Sequence, residues 1–127
     1  MKTNLKKLIG MAVLGMVLFT TSLPTWAGYV DHPEVIVVPN VTASGSMVGA
    51  RYSGDNQQYI GCTSHNPAVT CSGSDKTGKY FFCTKIDPKW VAVVKTITDS
   101  SRIVVTKAPG TTTCDYLSVD NFSYQLK

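Results

Sequence analysis

The sequence predicts an α+β domain: a small antiparallel sheet with one helix packed on one face, stapled by two disulfides. Three observations predict it. Short β-branched or alternating runs are separated by Gly, Asn, Asp and Pro turn chemistry. One segment, after Asp87-Pro88, carries apolar residues at helical spacing. Cys62, Cys71, Cys83 and Cys114 are even in number and follow an N-terminal leader.

The leader comes first in the chain. Lys2, Lys6 and Lys7 form a positive start, and an uncharged stretch runs from Leu8 to Leu23. Pro24 then precedes Thr25-Trp26-Ala27, which places small residues where signal peptidase reads them, with the cut before Gly28. The apolar core, Leu8 to Phe19, is shorter than the roughly 20 residues that span a bilayer. No cysteine follows that run to carry a lipid. Residues 1–27 are therefore expected to be removed on export to the periplasm or beyond, leaving no membrane span. Residues 28–46 read as a lead-in and linker holding one short strand, and 47–127 as the disulfide-stapled α+β domain.

Within the lead-in, Glu34 to Val38 is an apolar strand stopped by Pro39, and Asn40 to Ser46 reads as a linker. Met47 to Ser53 alternates Val48, Ala50 and Tyr52 against Gly49, Arg51 and Ser53. With Gln57 to Cys62 it forms a candidate hairpin around Ser53-Gly54-Asp55-Asn56. Ser64 to Pro67 reads as a loop and Val69 to Ser74 as a strand. Asp75-Lys76-Thr77-Gly78-Lys79 is the sharpest local signal, a type I turn closed by a G1 bulge at Gly78. Tyr80 to Cys83 returns as a strand, with Lys79 opposite Asp75 and Cys83 opposite Cys71. Asp87 caps a helix with Pro88 in its first turn, and Trp90, Val91, Val94 and Ile97 form its stripe. Arg102 to Lys107 and Thr111 to Val119 are the last strands, and Asp120 to Lys127 is a polar, aromatic tail.

The turn register bears on the disulfides. Asp75 and Lys79 form a hydrogen-bonded pair, and alternation makes Cys71 and Cys83 another. Cross-strand disulfides favour the closer, non-hydrogen-bonded sites, so Cys71–Cys83 is disfavoured. Two pairings remain open. Cys62–Cys71 with Cys83–Cys114 is preferred, because it clips a short hairpin loop and ties the late strand to the early sheet. The absence of a C-x-x-C pair argues against both structural zinc and thioredoxin-like redox chemistry.

Charge and motifs exclude several functions. The whole chain has 12 Lys+Arg and 8 Asp+Glu, net +4. Three of those lysines leave with the leader, so nine face eight and the remainder is close to neutral. That gives no footprint for nucleic acid. Only His32 and His65 offer imidazoles, and Glu34 is the one glutamate. There is no G-x-S-x-G elbow, and Gly45 to Gly49 lacks the Gly-Lys-Ser/Thr of a phosphate loop. Asp31-His32-x-Glu34 is a poor metal site on a loose lead-in. No cofactor or metal is expected.

Aromatic residues remain. Phe81 or Phe82 and Trp90 suit the core, whereas tyrosines on the open sheet face offer rigid area with a polar tip.

The run Ala50-Arg-Tyr-Ser-Gly-Asp55, the run Gln58-Tyr-Ile-Gly-Cys62 and the Asp75/Gly78 turn join two further features. These are Cys83 ahead of Asp87-Pro88 and Cys114 ahead of Leu117-Ser-Val119. Together they resemble a group of small exported bacterial proteins with four cysteines and no assigned function. The resemblance covers most of residues 45–124 and implies the covalent framework and the compartment alone.

The expected function is therefore an exported, non-enzymatic binding domain, an inhibitor or cell-envelope accessory. It would act through an aromatic sheet face and adjoining loops. Tyr52, Tyr59, Tyr80, His65 and Tyr116 are the candidate binding residues, and the partner would be a protein or a cell-envelope glycan. A small secreted hydrolase using His65 and a structural envelope component are the alternatives.

Overall fold

Seven strands and two short helices follow one another in the computed structural model, which describes residues 32–121. The leader, its cleavage site and the tail aromatics Phe122 and Tyr124 lie outside the described residues. The strands are β1 (Ile36–Val38), β2 (Thr42–Ser46), β3 (Tyr59–His65), β4 (Ala68–Ser74), β5 (Tyr80–Ile86), β6 (Arg102–Lys107) and β7 (Cys114–Asp120). The helices are α1 (Met47–Arg51) and α2 (Pro88–Val94).

The strands form two antiparallel sheets, ordered β1-β2-β6-β7 and β3-β4-β5. The domain is antiparallel, carries a packed helix and is disulfide-stapled, consistent with the predicted α+β class, but it is mostly β, with a second sheet covering the core face together with α2. Val37, Ala43, Ile103 and Val105 of the first sheet share a core with Ile60, Val69 and Phe81 of the second. Val91 and Val94 of α2 join that core, with Trp90 and Ile97 packed against it.

The segment read as a linker is β2, paired on both sides. Its residues are small because neighbours crowd it both within its own sheet and from the other one. A Cβ on Gly45 would come within 2.8 Å of the Val35 Cα, and one on Gly73 of β4 within 3.3 Å of the Ala43 Cβ. Small polar composition here reflects close packing rather than a loose tether. Met47 to Arg51 is a helix, not a strand. The Ser46 hydroxyl accepts from the Gly49 N–H at 3.0 Å, and the Met47 N–H donates to the Ser101 carbonyl at 2.9 Å. The cap turns the chain out of the sheet, so the hairpin expected with Gln57 to Cys62 does not form. Instead β3 pairs with β4 across Asn66-Pro67, which leaves Ser64 and His65 in the strand.

The Asp75 turn matches its prediction. Gly78 has φ of +81°, the Gly78 N–H donates to the Asp75 carbonyl at 3.0 Å, and the Asp75 N–H donates to the Lys79 carbonyl at 3.1 Å. Cys83 lies opposite Cys71 in the resulting register. Cys71 thus turns its backbone polar groups toward β5 and meets Cys62 across a non-hydrogen-bonded site. Their Cα atoms are 4.1 Å apart, and the two are joined. The second disulfide, Cys83–Cys114, links β5 of one sheet to β7 of the other. Helix α2 begins as predicted, with the Asp87 carboxylate accepting from the Lys89 N–H at 2.8 Å.

Two loop carboxylates hold one end of the second sheet. Asp55 accepts from the Gln58 side chain and from the N–H groups of Gln57 and Gln58. Buried Gln58 in turn accepts from the Val35 N–H at 2.8 Å, which fastens the start of β1. Asp75 accepts from the Thr77 hydroxyl and from the N–H groups of Thr77 and Lys79. The Gln58 side chain, then the Gln57 and Gln58 N–H groups, hold the Asp55 carboxyl well below the usual carboxylate range. The Thr77 hydroxyl, followed by N–H groups of the turn, lowers that of Asp75.

A depressed folded-state pKa contributes stability that is present above the unfolded value, about 3.9, and lost as pH falls through the folded one. Thermal midpoints should therefore hold from neutral pH down to about 5 and fall below about 4. In an Asp55→Ala, Asp75→Ala double variant the acid limb should be shallower, starting from a lower midpoint. An acid limb of unchanged steepness would show that these carboxylates do not govern it.

Candidate functional site

Alternation along β3, β4 and β5 divides the second sheet into a buried inner face and an open outer one. Successive rungs of the outer face can be followed from the Asp75 turn outward. Tyr59, Ser74 and Tyr80 form the first rung, and Gly61, Ser72 and Phe82 the second. Thr63, Thr70 and Thr84 form the third, and His65, Ala68 and Ile86 the last. None of these side chains is a Lys, Arg, Asp or Glu.

Tyr59 and Tyr80 flank Ser74 and are 45% and 54% exposed, while Ser74 between them is buried. The two phenols and the Ser72 hydroxyl are near neighbours. Burial pushes the Tyr59 phenol up and the Tyr80 phenol adds to that, against an opposing hydrogen bond from Ser72. Tyr59 is thus neutral at physiological pH. Gly61 leaves a gap beside this ridge, because a Cβ placed on it would meet nothing within 4 Å. Phe82 closes the same rung on β5 and is half-buried. At the far end Ile86 is 77% exposed.

Three of the five predicted binding residues, Tyr59, Tyr80 and His65, therefore share one face. The other two do not join them. Tyr116 lies on the outer face of the first sheet, in register with Thr106, on the opposite side of the domain. That face places Arg102 opposite Asp120 and so carries charge. Tyr52 ends α1 and lines a cleft of about 330 Å³ with His32, Glu34, Val48, Gly49 and Ser53. In that cleft the His32 Nδ1 is buried without a partner, while the Glu34 carboxylate pairs with the Lys76 ammonium at 2.8 Å.

Gly61, Phe82 and Ile86 were not singled out by sequence reasoning. The register offered a signal for Phe82: if Cys71 and Cys83 face inward, so does Phe81, and Phe82 must point out. No comparable signal marks the open space above Gly61.

No hydrogen bond from a described side chain orients the His65 imidazole, as a general base requires. Among the described residues no group of three His, Cys, Asp or Glu side chains is placed to hold a metal ion, and no helix is long and apolar enough to cross a membrane. Compared with known protein families, curated proteins and solved structures, the chain matches none.

Proposed function

We propose that the protein is an exported, non-enzymatic binding domain, an inhibitor or cell-envelope accessory, whose recognition surface is the outer face of β3-β4-β5. One observation carries the reading: a regular sheet face without Lys, Arg, Asp or Glu presents two exposed tyrosines beside a half-buried phenylalanine and a row of hydroxyls. Rigid aromatic rings with polar tips lose little entropy on binding and supply both apolar area and hydrogen bonds. The leader and the two disulfides support an oxidising, extracytoplasmic compartment.

The test is retention of components from the producing cell's envelope and medium on the oxidised mature protein. A Tyr59→Ala, Tyr80→Ala double variant should lose about tenfold or more in affinity, because each aromatic anchor commonly contributes more than 1 kcal/mol. Its thermal midpoint should change little, since both rings are half-exposed. Tyr116→Ala, on the other sheet, should bind as the parent does. Equal loss from Tyr116→Ala, or none from the double variant, would move the site elsewhere.

A further inference from the structure

We propose that Tyr59 and Tyr80 form an oxidative cross-linking site, a pair of phenols placed to couple to each other within one chain. The site is a property of the two rings and does not depend on what the face binds. Register brings them together first. They occupy β3 and β5 of the same outer rung, one on each side of Ser74 of β4, and so stand two strand spacings apart, about 10 Å. Their side chains close that gap. Ser74 points to the outer face yet is only 8% exposed. A serine on that side of a sheet is buried when its neighbours lean over it, and its neighbours along the rung are the two tyrosines. The Tyr80 phenol accordingly acts on the Tyr59 phenol by charge and by hydrogen bonding.

Accessibility argues second. Both rings keep about half their surface in solvent, within reach of a diffusible oxidant. All four cysteines are paired in disulfides, so no thiol is there to be oxidised first. Tyr52 ends α1 and Tyr116 lies on the other sheet, so among the described residues no second pair of tyrosines is adjacent.

The chemistry is a two-electron oxidation shared between the rings, with hydrogen peroxide, acting through a haem peroxidase, as the oxidant. Each phenol gives up one electron and its hydroxyl proton. The two phenoxyl radicals join through carbons ortho to oxygen, and the hydrogens on those carbons move to the oxygens, which restores both aromatic rings. One hydrogen peroxide takes up the two electrons and two protons and leaves as two waters. The new carbon–carbon bond ties β3 to β5 over β4 and, unlike the two disulfides, survives a reductant.

The test treats the oxidised mature protein, at low concentration, with a haem peroxidase and hydrogen peroxide. Dityrosine fluorescence should appear in a product that still runs as a monomer after reduction and denaturation. That product should be lighter than the parent by two hydrogens, and its digest should join the peptide carrying Tyr59 to the one carrying Tyr80. Tyr59→Phe and Tyr80→Phe, which keep the ring and remove one hydroxyl each, should each abolish it. Tyr116→Phe should leave it in full. Dityrosine found only between chains, an intramolecular link mapped to any other pair, or no dityrosine at all would overturn the assignment.

Discussion

Replacing Cys83 and Cys114 together by alanine should destabilise the domain by about 3.7 kcal/mol, against about 2.6 kcal/mol for the Cys62, Cys71 pair. The difference follows from loop length, since the residues joined are 31 apart in one case and 9 in the other. Position should widen it. Cys62 and Cys71 already face each other in a paired hairpin, so losing their bond leaves the β3–β4 ladder in place. Cys83 and Cys114 join strands of different sheets that share almost no backbone pairing. The Thr84 N–H and hydroxyl, donating to the Thr112 carbonyl at 2.7 and 3.5 Å, and a bridge from Thr84 to Thr113 connect β5 to the segment before β7. Both sulfurs are also fully buried, so their removal leaves a small void. For a domain of this size the thermal midpoint should fall by about 15 °C or more. Equal losses from the two double variants would show that sheet docking does not depend on the inter-sheet link.

Phe81→Ala should cost about 3–5 kcal/mol, a large share of the roughly 5–15 kcal/mol available to a small domain. Phe81 is 1% exposed and fills the inner face of β5 between the buried Gly73 and Cys83. Gly73 beside it has no side chain to expand into the void, since the first sheet presses on it through Ala43. Relaxation around the cavity is therefore limited, which puts the cost toward the upper part of the range. A second contribution comes from Lys107, whose ammonium sits 5.4 Å from the Phe81 ring centroid while the residue is 8% exposed. Desolvated cation–ring contacts contribute about 2 kcal/mol. A double-mutant cycle with Lys107→Met separates the two. A coupling near zero would mean that Lys107 is held by its aliphatic stem alone.

Legibility in the sequence tracked the range of the interactions involved. Asp87-Pro88 and the Asp75-to-Lys79 turn are complete statements within five residues, so their geometry could be read directly. The turn spoke against Cys71–Cys83, because a period of two carries its register unchanged to both residues; of the two pairings left open, the preferred one is the one that forms. The candidate site was legible in part. Tyr59, Tyr80 and His65 were singled out for their chemistry and do share a face. Tyr116 and Tyr52 have the same chemistry but were carried elsewhere by strands and a helix whose partners lie far away in the chain.

By itself, then, the sequence determined most of the antiparallel strands, the start of α2, the one sharp turn and the exclusion of a Cys71–Cys83 link, all set by neighbours a few residues apart or by strand alternation. Only the tertiary structure decided that there are two sheets, that Thr42 to Ser46 is a central strand, that Met47 to Arg51 is a helix, and which aromatics stand together. The physical reason is steric. Gly73 is small because the two layers meet there against Ala43, Gly45 because the Val35 backbone crowds it within its own sheet, and a residue's smallness does not say what it must make room for.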